Sequence, residues 1–595
     1  MGRNSELLTM AEQPPWEDLP SLCWEAVLRS LRSNADLQSF SSVCKRFLDI
    51  SNAFRTSLSI PNRLTPCLGS LLSRRFTYIK SIDLSSFRGN PSSVLLQIAQ
   101  FPLPLEHLDL SNQESLRFDG LREIGSKFGA LRVLVLSKIG LLADDELVSI
   151  ADYFPLLEEL DISYPRLSWV TDDCISVLSQ KLQRLSRIDV SGNLSLSDQS
   201  LVVLSVNCLC LREIVFRLCS LITGRGIASL IKRRPHLVSL ALTGMKMDRI
   251  FYEELVDSFG YAESLSSLDF SGPFIWDGLL MSVAEANIPL ERLNLSDASG
   301  WFSFNGIRKI MLKHRGIKIL DLKKVDFLAD GNMSVICRDL RSLNSVNFTH
   351  CFNLTTTTLY NLMRHCPFLK QIIMEWTNLR MDDGNETDMV VNSQVRSLSI
   401  AGNVNLTDDC LMKIGGMCPN LWYLDVGVCL KITGDGISGV LKSCPEIKHL
   451  ETHYLENLGN LCIDFELPQL ECLQAEGLKL SDKQLAAFIS RCCHLKRLNL
   501  QECVHLSTKG VEKVVKNCKA LREINLRGCH RVRDDVPFLD WMVSVRPSLR
   551  RIVPPHRFVS SKIQDFFLQR GCLVCHYYDF KKLEAKPIEQ QCSLY

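Results

Sequence analysis

One spacing governs this 595-residue chain: a segment of the form L-x-x-L-x-L returns at a nearly constant step along almost its whole length. The segments open at Ile79, Leu105, Leu131, Leu157, Leu185, Leu211, Leu237, Leu265, Leu290, Ile317, Leu343, Leu369, Val395, Leu421, Ile447, Leu470, Leu495, Leu521 and Leu549. Most steps are 26 residues, with slips to 28 between Leu157 and Leu185 and to 23 between Ile447 and Leu470. A fixed period of this size demands a stack of equivalent units rather than a core assembled from scattered segments.

The stretch from Leu421 shows what each unit must be. Leu424 and Val426 alternate with Tyr423 and Asp425, so a short strand points the first pair inward and the second outward. Ile437, Val440 and Leu441 then follow at helical spacing. Thr433, like Thr171, Ser197, Thr407 and Ser507 elsewhere, stands where a hydroxyl caps the first amides of that helix. Cys444-Pro445, Cys366-Pro367 and Cys418-Pro419 end it, because proline cannot continue a helix. A unit of this kind cannot bury its apolar face alone. Stacking predicts an α/β leucine-rich-repeat solenoid, a horseshoe with an inner parallel sheet and outer helices.

Net charge is +2 and 46% of residues are hydrophobic, which gives no basic bias towards nucleic acid. No run approaches the ~20 apolar residues of a membrane span, and residues 1–12 lack the apolar core of a signal peptide. The N-terminus misses the myristoylation pattern, so the expected location is cytoplasmic or nuclear. In that setting the 24 cysteines read as structural. Cys351, Cys429, Cys503 and Cys529 follow strands, while Cys366, Cys418, Cys444 and Cys518 close helices, where a small buried thiol suits a solenoid. The pattern resembles the cysteine-containing subclass of leucine-rich repeats.

Ahead of the array, two apolar stripes at helical spacing lie between residues 14 and 52: Cys23, Val27, Leu28 and Leu31, then Leu37, Phe40, Val43, Cys44, Phe47 and Leu48. The ordered set Leu19-Pro20, Val27-Leu28, Leu31, Asp36-Leu37 and Val43-Cys44-Lys45-Arg46-Phe47 resembles an F-box. It departs from the family where Cys23-Trp24 replaces an acidic-leucine pair and Phe47 replaces a tryptophan. With the repeats, the likeness to F-box/leucine-rich-repeat proteins spans nearly the whole chain. It implies a non-catalytic subunit of an SCF-type ubiquitin ligase, whose F-box docks a Skp-type adaptor and through it a cullin and a RING protein. Leu19, Pro20, Val27, Leu28, Leu31, Leu37, Val43, Cys44 and Phe47 map onto the adaptor-binding motif. The expected organisation is a flexible terminus at 1–13, the F-box at 14–55, about 19 repeats over 56–554 and a C-terminal cap and tail at 555–595.

The outward strand residues of a curved solenoid line its binding face, where a protein substrate is expected. Early repeats follow the strand with serine, as at Ser111, Ser137, Ser163 and Ser191. Later ones carry Arg217, Lys323-Lys324, Glu375-Trp376, His453-Tyr454, Gln501 and Arg527, and large aromatics and arginines make good anchors. That places substrate contacts at Arg217, Lys323, Glu375, Trp376, His453, Tyr454, Gln501 and Arg527. Residues 272–276 and 297–304 put aromatics in loops, and residues 381–392 form an acidic loop; such interruptions often carry binding. The auxin- and jasmonate-receptor F-box proteins have similar lengths and hold a polyphosphate on concave basic residues. Here Arg187, Arg217, Arg292, Lys323, Arg497 and Arg527 are scattered, so no cofactor is expected. A non-ligase scaffold and a small-molecule-dependent receptor remain the alternatives.

Other motifs are set aside. Cys572-Leu573-Val574-Cys575-His576 matches haem attachment, but it lies beyond the last repeat in a chain without an export signal. Cys592 sits where a prenylated cysteine would, followed by poor prenylation residues. No phosphate loop, zinc-protease helix or nucleophile elbow is present, so no enzyme chemistry is expected and no metal is assigned. His107 and His449 are read as outward strand residues without fixed partners.

Overall fold

The computed structural model describes residues 21–575 except 32–36, 38–39, 115–117, 243–251, 273, 381–389, 459–462 and 557–559. Leu19 and Pro20, most of the 381–392 loop and the prenylation-like terminus therefore lie outside the described residues. The chain divides into two compact units, Met1–Ala262 and Glu263–Tyr595.

In the first unit, three-residue strands Ser57–Ser59, Ser81–Asp83, His107–Asp109, Val133–Val135, Glu159–Asp161, Arg187–Asp189, Glu213–Val215 and Ser239–Ala241 pair in parallel, each with the next. The second unit repeats the plan from Ser267–Asp269 through Ser397–Ser399, Tyr423–Asp425 and His449–Glu451 to Arg551–Val553. Strands this short are all the motif permits. Its two inward residues are spent on the core, as Ile82 and Leu84 or Leu424 and Val426, which are fully buried. Most strands lead to a helix, for instance Asp408–Met417 and Gly434–Ser443, though none is described between Gln371–Ile373 and Ser397–Ser399 or between His449–Glu451 and Cys472–Gln474; each unit is an α/β leucine-rich-repeat solenoid.

The ladder has members that the leucine pattern does not announce. Ser57–Ser59 pairs with Ser81–Asp83 although Arg55 stands in the opening position, because Leu58 and Ile60 still supply the buried pair. Leu573–Val574 pairs with Arg551–Val553, past residue 554, and buries Cys572 and Cys575. The aromatic segments expected as loops are instead strands: Phe274–Trp276 pairs with Ser299–Trp301, as Leu141–Ala143 pairs with Leu167–Trp169. Extended backbone just before a helix satisfies its amides by pairing with the same segment one repeat on.

Three side-chain devices recur at the repeat spacing. The strand-end Asp or Asn accepts the amide two residues on, as Asp83 does from Ser85 at 2.7 Å and Asp189 from Ser191 at 2.9 Å. This Asx turn leads into a left-handed residue three past the strand, as at Asn112, Tyr164 and His350, and Lys138, Trp376 and Tyr454 take the same conformation after strands ending in Val135, Ile373 and Glu451. The serines that follow early strands are thus part of a turn: Ser111, Ser163 and Ser191 are buried. Four residues past the strand, a thiol donates to a carbonyl of the preceding repeat, as Cys351 to Leu322 at 3.2 Å and Cys429 to Ile400 at 3.3 Å. Asn193 and Asn403 make the same link through their amides. Burial pushes the Cys351 and Cys429 thiols up to about 12, so they stay protonated.

The third device ties the helices together. An Asp at the first helical position accepts both the amide and the hydroxyl of the next repeat's capping residue: Asp408 takes Thr433 N–H at 2.9 Å and O–H at 2.6 Å, and Asp144 does so with Thr171. Thr171, Ser197, Thr407 and Thr433 also accept a helix amide as expected. Ser507 does not; its hydroxyl is turned to Asp482 instead. Asp408→Ala is expected to cost about 1–3 kcal/mol, since it strips two half-buried donors of their acceptor. Urea unfolding of the variant checks this, and an unchanged midpoint would refute the stitch.

Candidate functional site

Two surfaces stand out, one in each unit. In the N-terminal segment, helices Ser21–Ser30 and Lys45–Ala53 are held by aromatic contacts. Phe40 stacks on Phe47 with ring centres 4.4 Å apart, and Trp24 meets Phe47 edge-on at 5.2 Å. Trp24 and Leu28 are buried, and Leu31, Leu37 and Phe47 are half-buried. Val27 is 38% and Val43 66% exposed. Cys44 is exposed too, and its sulfur accepts the Phe47 amide at 3.5 Å to cap the second helix. Of the family's motif positions, then, Leu28 and Phe47 serve the segment's own core, whereas Val27 and Val43 present apolar surface outward.

The second surface is on the strand side of Glu263–Tyr595. Asp425, expected to point outward there, is only 6% exposed. Its Oδ1 accepts the Gly427 amide at 2.9 Å, the ordinary Asx turn. Its Oδ2 lies 3.3 Å from Ser399 Oγ, which donates at 2.7 Å to Glu375 Oε1. Across the next strand, Tyr423 donates to Glu451 Oε1 at 3.1 Å, and His453 Nδ1 stands 3.8 Å from Asp425 Oδ1. Small residues make the room. Two residues past successive strands come Glu375, Ala401, Gly427 and His453, and a side chain at Gly427 would run into the His453 ring. Ser397, Ser399 and Ala401 on the neighbouring repeat are buried, and Glu375, Glu451 and His453 stand around Asp425.

Crowding three carboxylates here has an electrostatic consequence. Burial, reinforced by Glu375, pushes Asp425 up to about 7; burial, reinforced by Asp425, does the same to Glu451. The Tyr423 hydroxyl is raised by burial and then by Asp425 and Glu451. On the strands of the first unit carboxylates meet cations instead: Arg187 lies 3.3 Å from Glu213 and 3.8 Å from Glu159. No lysine or arginine of the described residues pairs with Glu375, Asp425 or Glu451. Asp425, Glu451 and His453 each bring one ligating atom to within 4.8 Å of the others, the set here that could hold a metal.

Of the expected substrate residues, the structure brings Glu375 and His453 together around Asp425. Tyr454 and Gln501 form a second group, with Tyr454 O–H 2.9 Å from both Glu476 and Glu502 and the Gln501 amide 2.7 Å from Glu476. Trp376 stacks on His350 with centres 6.1 Å apart and lies over Gly402, where a side chain would collide with it. Lys323 is engaged by Asp297 at 3.3 Å, Arg527 donates its amide to Asn525, and Arg217 belongs to the other unit. His107 and His449 do have partners: Ser81 Oγ at 3.1 Å for the first, the Trp422 ring and Arg497 for the second. Asp425, Glu451, Tyr423 and Ser399 were not singled out from the sequence. The paired small residues Ala401 and Gly427 between Glu375 and His453 were the signal available.

No protein-family model matches the chain. Among curated proteins it is 24% identical over 211 residues to F-box/LRR-repeat protein 4 of Bos taurus, covering 33% of each chain. It is 28% identical over 158 residues to F-box protein SKIP1 of Arabidopsis thaliana, covering 23% of this chain and 52% of that one. The chain thus spans a third to a half of the length of these two. A transport inhibitor response 1-like protein of Oryza sativa subsp. japonica is 23% identical over 577 residues, 84% of this chain and 85% of that one. Among solved structures, the yeast Rad7 and Elc1 complex matches 76% of this chain and 96% of that one at 16% identity, with a TM-score of 0.41. These three curated relatives are F-box, F-box/leucine-rich-repeat and transport-inhibitor-response-like proteins, and the repeat solenoid of this chain is consistent with an F-box/leucine-rich-repeat protein.

Proposed function

We propose that the chain is the substrate-recognition subunit of an SCF-type ubiquitin ligase. Its N-terminal helices dock a Skp-type adaptor, through which a cullin and a RING protein are reached, and its repeats hold a protein substrate. The observation that carries this reading is the ordered F-box pattern directly ahead of a repeat array whose curated relatives bear F-box names. Such a subunit needs no catalytic group of its own. It acts by raising the local concentration of substrate lysines near a ubiquitin-charged enzyme. Leu19, Pro20, Val27, Leu31, Leu37, Val43 and Cys44 are assigned to the adaptor, and Leu28 and Phe47 to holding the helices that present them.

Affinity purification of the whole chain tests this. The intact protein should recover a Skp-type adaptor and a cullin, and Val43→Asp or Val27→Asp should lower that recovery at least about tenfold, as expected when a charge enters an apolar contact. Both positions are exposed, so the variants keep their fold. Recovery of no adaptor by the intact chain would overturn the reading.

A further inference from the structure

Two histidines meet in the turns near the C-terminal end of the array. His530 stands five residues past the strand Glu523–Asn525, and His556 three past Arg551–Val553. The Gly528 amide donates to Pro555 O at 2.8 Å and the His530 amide to Gly528 O at 3.0 Å, which fixes one turn beside the other. His530 Nδ1 and His556 Nε2 end 3.4 Å apart, with ring centres at 5.5 Å. On its far side His556 Nδ1 lies 3.0 Å from Asp534 Oδ2. The neighbours of Asp534 leave it to that contact: Arg533 donates to Asp535 at 3.0 and 2.7 Å, and Asp535 caps the helix Val536–Val545. Among the described residues no lysine or arginine pairs with Asp534.

Two ring nitrogens that face each other share either a proton or a cation. As a hydrogen bond, 3.4 Å is long against the ordinary range of about 2.7–3.2 Å for N–H donors. Zinc holds imidazole nitrogens at about 2.0–2.1 Å, and tetrahedral angles then space two of them about 3.3–3.4 Å apart. The acid behind His556 suits the second case: it takes Nδ1–H, fixes the tautomer and aims the Nε2 lone pair at His530. His530 has no carboxylate partner among the described residues, so its proton is able to move to Nε2 and leave Nδ1 as the second ligand. No thiol competes, since the adjacent Cys529 is buried and donates to Leu500 O at 3.0 Å. A pair made of nitrogen alone selects zinc, copper or nickel over calcium and magnesium, which take oxygen ligands.

We propose that His530 Nδ1 and His556 Nε2 bind a divalent transition-metal cation of the zinc class, with Asp534 as the positioning residue behind His556. Both rings are exposed, so the other two corners of a tetrahedral ion face solvent. Water fills them in the isolated chain, and a side chain of a bound protein can replace it. The site uses repeats other than those of Asp425, Glu451 and His453, and it stands whether or not the chain serves a ligase.

The test titrates zinc chloride into the purified full chain by calorimetry and repeats the titration with cobalt(II) chloride, followed by visible and near-ultraviolet absorption. Cobalt held by imidazole and water lacks the strong near-ultraviolet charge-transfer band that a thiolate ligand gives, so the exposed cysteines are told apart from the histidines. His530→Ala and His556→Ala should each abolish the thiolate-free signal. Asp534→Asn should weaken zinc binding at least about tenfold, and Asp534→Glu should recover part of the loss. His453→Ala, in the carboxylate set of other repeats, should change it less than about twofold. Thermal unfolding without metal should be the same for all these chains, because His530 and His556 are exposed and Asp534 is half-buried. No zinc binding by the intact chain would leave the pair as a hydrogen bond and overturn the proposal. Binding that survives both histidine substitutions, or that only His453→Ala removes, would overturn it too. None of these readings involves an adaptor, so their failure leaves the ligase reading untouched.

Discussion

Leu424→Ala is expected to destabilise the Glu263–Tyr595 unit by about 2–5 kcal/mol, the range for emptying a buried leucine site in a packed core. Leu424 is 0% exposed and sits on the strand Tyr423–Asp425, opposite Leu398 on one neighbour and Leu450 on the other. The strands are held in fixed register on both sides, so the backbone cannot close the cavity without shifting three repeats together. In a linear stack each repeat is stabilised only by its neighbours, so a weak central unit should also broaden or split the urea transition. Leu209→Ala, at a residue 72% exposed, should stay within about 0.5 kcal/mol. Denaturation curves of the two variants decide the matter. A loss below about 1 kcal/mol at Leu424 would contradict a core shared between repeats.

Raising the pH from about 4 to above 7 should weaken the same unit through the Asp425 and Glu451 carboxyls by one to a few kcal/mol. Both have folded-state pKa values raised by burial to about 7, above their ordinary 3.8 and 4.5. A carboxyl of this kind binds its proton more tightly in the folded chain. Its stabilisation is complete below the unfolded pKa and is lost as pH climbs through the folded one. The groups facing the pair are Glu375, Tyr423 and His453, with His449 on the strand beside Tyr423. His449 acts in the opposite sense: burial and then Arg497 lower it from 6.5 to about 4, so it adds stability as pH rises across that interval. The comparison is therefore made against Asp425→Asn/Glu451→Gln, which keeps His449. The double variant should gain Tm relative to the unsubstituted chain at pH 8 and lose that advantage at pH 4. Parallel Tm profiles across this range would show that the two carboxyls carry no strain.

Much of the fold could be read in advance because the repeat turns local residues into global ones. Leu421, Leu424 and Val426 state the inward direction of a strand, and Cys429 states where a small buried thiol must sit; that it donates to Ile400 of the preceding repeat came from the structure. The ends were harder. Ser57–Ser59 and Leu573–Val574 carry only half of the leucine motif, since an end repeat has one neighbour to satisfy rather than two. The segments Phe274–Trp276 and Ser299–Trp301 were missed as strands because their partner is each other, a pairing that neither announces alone.

The candidate site was legible in part. Glu375 and His453 stood out as departures from the serines of earlier repeats, but Asp425 looked like one more turn aspartate of the kind at Asp83 or Asp189. Its own repeat distinguishes it only by Gly427. Its difference comes from Glu375 two repeats back, Glu451 one repeat on and the glycine that lets His453 lean over it.

From the sequence by itself follow the stacking, the inward and outward sides of each strand, and the structural use of the thiols, because a period of this kind admits one way to bury its apolar residues. The tertiary structure alone decided which outward residues lose their water. Burial of an outward side chain depends on what the adjacent repeats place beside it, and that is set by the register between strands: Ser397 opposite Tyr423, and Tyr423 opposite His449. The same register buried Asp425 beside Glu375 and Glu451, while the packing of Trp24, Phe40 and Phe47 on one another left Val27 and Val43 facing out.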